Sequence, residues 1–271
     1  MVIHFTLNTL GAPGWSLEET ARQARAFGYD GVDLRLLDGE VITLDAVRAN
    51  RRRIAALFPP AELPVTVLAT SVRLATREPS TRQATLDEAQ QWIDLAAELQ
   101  VPVIRFFAAR TPPELDLPAS VQAVGEMLAA LAEHATSAGV KIGVETHDEF
   151  ASARTVAGAL ALAPGEAVGA VWDMFHTTRA GEPPAEALAQ LDGRVINVHL
   201  KDARRTADGW QLVLLGEGDI PVQDGLRLLH QAGYGGYVSV EWEKKWHPEI
   251  AEPEVAFPQH LRLLREYVSA F

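Results

Sequence analysis

The feature that most restricts the fold is a junction that recurs along the chain. Ala26-Phe27-Gly28-Tyr29-Asp30-Gly31-Val32-Asp33-Leu34-Arg35 reads as a helix end, a glycine, and a short apolar run closing on a polar residue. Ser137 to Glu145 and Gln231 to Glu241 repeat the pattern, with Gly139 and Gly233 at the turn; Glu98 to Arg105 is a variant without the glycine. Glycine just past a helix supplies the left-handed conformation that ends it. A run of β-branched residues straight afterwards reads as a buried strand.

Strands are predicted near Ile3–Leu7, Gly31–Leu34, Thr66–Ala69, Val103–Phe106, Lys141–Glu145, Ala170–Asp173, Val195–Lys201 and Tyr237–Trp242. Between them lie amphipathic stretches at Ser16–Phe27, Leu44–Leu57, Thr85–Leu99, Ala119–Ser137, Ala153–Leu162, Ala185–Leu191, Val222–Gln231 and Phe257–Val268. Ser16 is placed to cap the first of these, with Glu19 completing a capping box. Eight such units in alternation imply parallel strands that close into a barrel, an α/β fold of the single-domain (β/α)8 TIM barrel type spanning residues 1–271. An open doubly wound sheet would carry a glycine-rich turn after the first strand, and Asn8 to Gly14 does not match that fingerprint. Asp208-Gly209, flanked by apolar residues, suggests a small hairpin after strand seven.

Composition removes several functions. With 24 Lys plus Arg against 36 Asp plus Glu the formal charge is −12, which opposes phosphate backbones over most of the surface. The absence of cysteine excludes disulfides, thiol nucleophiles and thiolate metal sites. No stretch reaches the roughly 18 consecutive apolar residues of a membrane span, and the N-terminus lacks the features of a signal peptide. The expectation is a cytoplasmic protein with a small-molecule partner, no nucleic acid and no membrane; a homo-oligomer is left open.

In such a barrel the site is built at the C-terminal ends of the strands. There the chain places Arg35, Ser71, Arg105, Glu145, Asp173, His199 and Glu241 in succession. Core packing does not require ionisable residues in these places. Three carboxylates converging at one mouth repel strongly, and a divalent cation relieves this by taking each as a ligand. Three oxygen ligands and one imidazole suit one Mn²⁺ or Mg²⁺ ion, with Zn²⁺ or Co²⁺ tolerated. A Lys or Arg head group filling the common centre would argue against the ion.

Glu145-Thr146-His147-Asp148, Trp172-Asp173-Met174-Phe175-His176, His199-Leu200-Lys201-Asp202 and Ser239-Val240-Glu241-Trp242-Glu243 stand in order, with their strand-end residues 28, 26 and 42 positions apart. Together they resemble the motifs of the xylose-isomerase-like barrel proteins, which include sugar isomerases, ketose 3-epimerases, inosose dehydratases and, more distantly, the endonuclease IV type of DNA repair enzyme. The resemblance implies that Glu145, Asp173, His199 and Glu241 ligate metal, and that His176 and Arg205 match substrate-contacting residues of the epimerase-like members. Those members also place a glutamate six residues after the first ligand, where this chain has Ala151.

The expected function is a metal-dependent isomerase or epimerase acting on a small keto-sugar, polyol or hydroxy-carbonyl compound through a metal-stabilised enediolate. Glu145 and Glu241 are the expected catalytic acid–base pair. His176, Lys201, Arg205, Arg35 and Arg105 are expected to bind substrate, the last two by accepting a carboxylate or phosphate. An inosose-type dehydratase is the alternative. A DNA hydrolase is disfavoured because strands two to four offer no histidine, and a non-catalytic sugar binder because all four ligands are present. Trp15, Trp210 and Trp246 are candidates to cover substrate, and the long connection 244–252 to act as a lid or an oligomer contact.

Overall fold

The computed structural model describes residues 2–76, 78–108 and 115–271. Eight parallel strands close into a barrel: β1 (His4–Asn8), β2 (Gly31–Leu34), β3 (Val65–Arg73), β4 (Val103–Phe107), β5 (Lys141–Glu145), β6 (Val168–Asp173), β7 (Val195–Leu200) and β8 (Tyr237–Val240). Each strand pairs with its neighbours in sequence, and β8 returns to β1 in the register His4↔Tyr237 to Leu7↔Val240. The outer layer holds α1 (Leu17–Phe27), α2 (Leu44–Leu57), α3 (Pro79–Glu98), α4 (Leu117–Ala138), α5 (Ala153–Leu160), α6 (Met174–Arg179), α7 (Pro184–Leu191), α8 (Val222–Gln231) and α9 (Pro253–Val268). Among the described residues no helix is long and apolar enough to cross a membrane.

The recurring junctions work as their residues dictate. Gly28 and Gly139 end α1 and α4 in the left-handed region, at φ 87° and 69°. Ser16 caps α1 by accepting from the Glu19 N–H at 3.2 Å, but Glu19 turns its carboxylate to Arg22 instead of closing a capping box.

Alternation along each strand divides the side chains between two cores. One face packs into the large apolar layer under the helices, where Trp92, Phe106 and Trp172 are fully buried. The other face fills the barrel. Its floor is apolar, with Val67, Ala69 and Val103 packed against Ile196. An irregular register between Ala170↔Val195 and Val171↔Asn197 brings Ile196 inward. There it lies where a Cβ on Gly143 or Gly169 would come within 2.9 or 2.5 Å of it. Above this floor a polar layer forms, Thr6 Oγ1 lying 3.0 Å from Ser239 Oγ and Asn197 donating to that same oxygen at 3.3 Å. The ionisable residues come next, at the C-terminal ends of the strands.

Two hairpins interrupt the alternation. Leu36–Leu37 pairs with Glu40–Val41 around Asp38-Gly39, both with positive φ, and Asp202–Thr206 pairs with Gly209–Val213 after β7. The second is the hairpin suggested by Asp208-Gly209; the first was missed, although it carries the same Asp-Gly signal.

Candidate metal centre

The inward faces of five strands meet in one buried cluster. Glu145 ends β5, Asp173 ends β6, His199 lies near the end of β7, and Glu241 directly follows β8. One ligand atom from each of the four lies within 4.8 Å of all the others, and none of the residues is more than 5 % exposed. His199 Nδ1 faces Glu145 Oε1 at 2.8 Å and Glu241 Oε1 at 3.2 Å. Its other nitrogen, Nε2, lies 3.0 Å from Oδ2 of Asp33 on β2. A carboxylate behind a histidine is the arrangement that fixes ring orientation and tautomer in metal sites.

Local structure fixes each group. The Asp173 N–H donates to Thr146 Oγ1 at 2.8 Å, and Asp173 Oδ1 accepts the His176 N–H at 3.0 Å, capping α6. That short helix presents His176. Both ring nitrogens of His176 are buried without a hydrogen-bond partner among the described residues. Burial, aided by the charges of Lys201, His147 and Arg179, holds its pKa well below the usual histidine range, so the ring is neutral.

Lys201 brings a permanent cation into the cluster. Its Nζ donates to Asp173 Oδ2 at 2.6 Å and to Glu241 Oε2 at 2.5 Å, and lies 3.0 Å from Glu243 Oε1. Burial alone would depress this lysine, but those carboxylates hold its pKa well above normal. The ammonium occupies the Asp173–Glu241 edge. Among the described residues it makes no ion pair with Glu145, and different oxygens, Glu145 Oε1 and Glu241 Oε1, face His199. The ammonium thus holds one oxygen each of Asp173 and Glu241, two of the four ligands, and an incoming ion would compete with it there.

The charge balance favours an ion. Asp33, Glu145, Asp173 and Glu241 are four buried carboxylates against the two cations that contact them, Lys201 and Arg105. With buried Arg35 also acting on Glu145, Glu241 and Asp33, the cluster keeps a net negative charge that a divalent ion beside a neutral imidazole offsets. Without an ion, His199 is left to supply the compensation. Burial disfavours its charged form, but Glu241 and Glu145 outweigh burial and raise its pKa well above the usual value. Burial likewise raises Glu145, and Arg105 and His199 reverse this to bring it to about 2. Asp173 is pushed up to about 6 by burial, only partly offset by Lys201. A donor set of one imidazole and three carboxylates, with a second-layer carboxylate already in place, fits a divalent cation.

Around the cluster, Arg105 Nε stands 3.3 Å from Glu145 Oε2, while Arg35 lies under the rim and donates to Ala69 O and Ser71 Oγ. Arg205 is not brought into the cluster. Its side chain is exposed on the hairpin across from Trp210, while its backbone N–H donates to Asp219. Trp15 is a core residue, 8 % exposed and donating to Glu254, so it covers no substrate. Trp210 packs edge-on against Phe175 over a cavity of about 400 Å³ that also touches His147, His176 and Arg179. Trp246 lines a neighbouring cavity of about 390 Å³ beside Glu145 and Glu241. The 244–252 connection is tied down by Lys244, whose buried Nζ donates to Pro248 O, Ile250 O and Glu252.

Sequence reasoning missed Asp33, although it shares the inward face of its strand with Arg35 and an acid inside an apolar strand is itself a signal. It also missed Phe107 and Arg73, which line the second cavity.

Comparison with known proteins agrees with this architecture. The chain is 24% identical over 247 residues to fructoselysine 3-epimerase of Shigella flexneri, covering 86% of this chain and 87% of that protein. Among solved structures it resembles a D-tagatose 3-epimerase-like protein, with TM-score 0.80, 19% identity and 98% and 97% of the two chains covered. It also resembles the IOLI protein crystallised with a zinc atom, with TM-score 0.83, 19% identity and 99% of both chains covered. The family model for the xylose isomerase-like TIM barrel matches residues 21–267. The chain belongs to the xylose isomerase-like TIM barrel family.

Proposed function

We propose that this protein is a divalent-metal-dependent isomerase or epimerase that moves a proton at the carbon next to a carbonyl in a small keto-sugar, polyol or hydroxy-carbonyl substrate. The observation that carries this reading is the convergence of Glu145, Asp173, His199 and Glu241 in one buried cluster at the open end of the barrel. The epimerase names of its relatives agree with it. Those four side chains would hold Mn²⁺ or Mg²⁺, with Zn²⁺ or Co²⁺ as alternatives, and the bound ion would supply Lewis acidity to adjacent substrate oxygens.

The chain's own groups provide the proton chemistry. Glu145 is ionised at neutral pH, and Lys201 and His199 overcome burial to hold Glu241 well below the carboxylate range. Both are thus in the form that accepts a proton, one on β5 and the other after β8, each with one oxygen facing His199 Nδ1. The neutral ring of His176 offers one donor and one acceptor to substrate oxygens. Lys201 positions Asp173 and Glu241. Isomerisation, epimerisation and loss of water share the first proton transfer, so an inosose-type dehydratase is the neighbouring reading.

The test is NMR of candidate keto-sugars and inososes in deuterated buffer with Mn²⁺. The expected result is deuterium incorporation next to the carbonyl, abolished by EDTA. A protein that binds the ion and catalyses no exchange with any of these compounds contradicts the proposal.

A further inference from the structure

Beside the cluster, the cavity of about 390 Å³ has three arginines on one wall, from three successive strands. The guanidinium carbons of Arg35, Arg73 and Arg105 lie 5.7, 4.9 and 4.0 Å from the ring centroid of Phe107. Phe107 stands two residues above Arg105 on β4, so its ring forms a platform for all three.

Two of these cations are committed. Arg105 donates to Thr70 O at 2.7 Å and faces Glu145, and Arg73 pairs with Asp148 at 3.4 Å on the rim. Arg35 differs. It is 7 % exposed, and its Nη1 donates to two neutral oxygens, Ala69 O at 3.0 Å and Ser71 Oγ at 2.9 Å. Among the described residues it forms no ion pair, and its Nε and Nη2 have no acceptor although Arg35 lines the cavity. Burial and the charge of Arg105 bring its pKa down to about 10, against the opposing pull of Glu145, Glu241 and Asp33. With Nε and Nη2 left without a protein acceptor, Arg35 presents two N–H donors to a planar anion in the cavity.

We propose that Arg35, assisted by Arg73 and Arg105 on the Phe107 platform, is the subsite for a carboxylate, and that the substrate is therefore a hydroxy-carbonyl compound carrying a carboxylate. The substrate half of this statement rests on the function proposed above; the subsite does not. A carboxylate fits better than a phosphate ester for two reasons. The free edge of one guanidinium, Nε and Nη2 of Arg35, matches a planar monoanion, bound through two parallel N–H donors. Glu145, Asp148, Glu241 and Glu243 line the same cavity and oppose a second negative charge. Arg105, one of the assisting arginines, stands 3.3 Å from Glu145, and both line one cavity with Arg35, so the subsite adjoins the proposed proton acceptor.

The experiment is calorimetric or saturation-transfer NMR titration of EDTA-treated protein with three probes of similar length: glycerate, glycerol and glycerol 3-phosphate. Glycerate is expected to bind at least about tenfold more tightly than either of the others. Arg35→Gln should weaken glycerate at least about tenfold and leave glycerol unchanged, and Arg73→Gln, at the half-exposed rim, about threefold. Circular dichroism establishes that each variant is folded; should Arg35→Gln not fold, Arg35→Lys, which keeps the charge and loses the fork, takes its place with the same expected direction. Equal affinity for glycerate and glycerol, tighter binding of glycerol 3-phosphate, or indifference to the change at Arg35 each overturns the proposal. No metal or turnover enters these titrations, so their outcome is separate from that of the exchange assay.

Discussion

Asp33 Oδ2 lies 3.0 Å from Nε2 of His199, on the side of the ring away from Glu145. A proton held on Nε2 leaves the Nδ1 lone pair directed at the cluster. Replacing Asp33 by Asn keeps the size and removes the charge that orients the ring. The expected effect is a loss of about 10- to 100-fold in Mn²⁺ affinity with the fold intact, measured by calorimetry. In the wild-type protein His199 is protonated before the ion arrives, since its pKa lies well above the usual value. Binding at pH 7.5 should therefore release about one proton per ion, read from titrations in buffers of different ionisation enthalpy. Zero release would remove His199 from the ligand set.

Glu145→Gln and Glu241→Gln are each expected to abolish solvent deuterium exchange while the far-ultraviolet spectrum is retained. Removing one carboxylate from a buried, charge-paired cluster also exposes the pairing itself. Glu145→Gln leaves Arg105 without its carboxylate at 3.3 Å, so stability should fall by about 3–5 kcal/mol in denaturant unfolding. Full exchange activity in either variant would dispose of the acid–base assignment.

Asp202 performs a task that has no counterpart in the chemistry. Its buried carboxylate accepts N–H groups from Ala203, Gly216, Gly218 and Ile220, and so closes the loop that follows the hairpin. Asp202→Ala leaves these donors unpaired under the surface, at about 1–3 kcal/mol for each that water does not reach. A fall of about 5–10 °C in Tm is expected for a domain of this size. Mn²⁺ affinity should change little, a contrast that separates this acid from its neighbour His199.

His260 gives a pH dependence with a defined sign. It is fully buried under Trp242, with Nδ1 donating to Ala256 O at 2.6 Å, and burial lowers its pKa to about 4. The unfolded chain takes up a proton near pH 6.5 that the folded one refuses until pH 4. The stability from the neutral ring is therefore complete above about pH 6.5 and drains away as the pH falls to 4, amounting to about 3 kcal/mol. His260→Phe should flatten the stability curve in that window by this amount, relative to wild type, in urea unfolding at stepped pH.

Much of this architecture was readable because the determinants are local. A glycine after a helix, an apolar run after the glycine and a charged residue after the run are contiguous in sequence, so Gly31–Leu34, Leu44–Leu57, Lys141–Glu145 and Val222–Gln231 agree with the structure residue for residue. Glu145, Asp173, His199 and Glu241 were legible for the same reason, each lying at or beside a strand end. What escaped depends on distance across the barrel. Asp33 acquires its meaning only when β2 faces β7, and the contacts of Lys201 with Asp173 and Glu241 arise only when three strands are in register. Arg205, six positions after His199, sits exposed on the hairpin directly across from Trp210 and outside the buried cluster, a placement set by the hairpin and not by its distance along the chain.

Among the described residues, the apolar floor of Val67, Ala69, Val103 and Ile196 makes the interior a cup closed below the cluster. Whatever reaches Glu145 or His199 enters from above and leaves the same way, passing Arg35 and Phe107. A molecule bound over the rim would then cover whatever lies deeper in the cup.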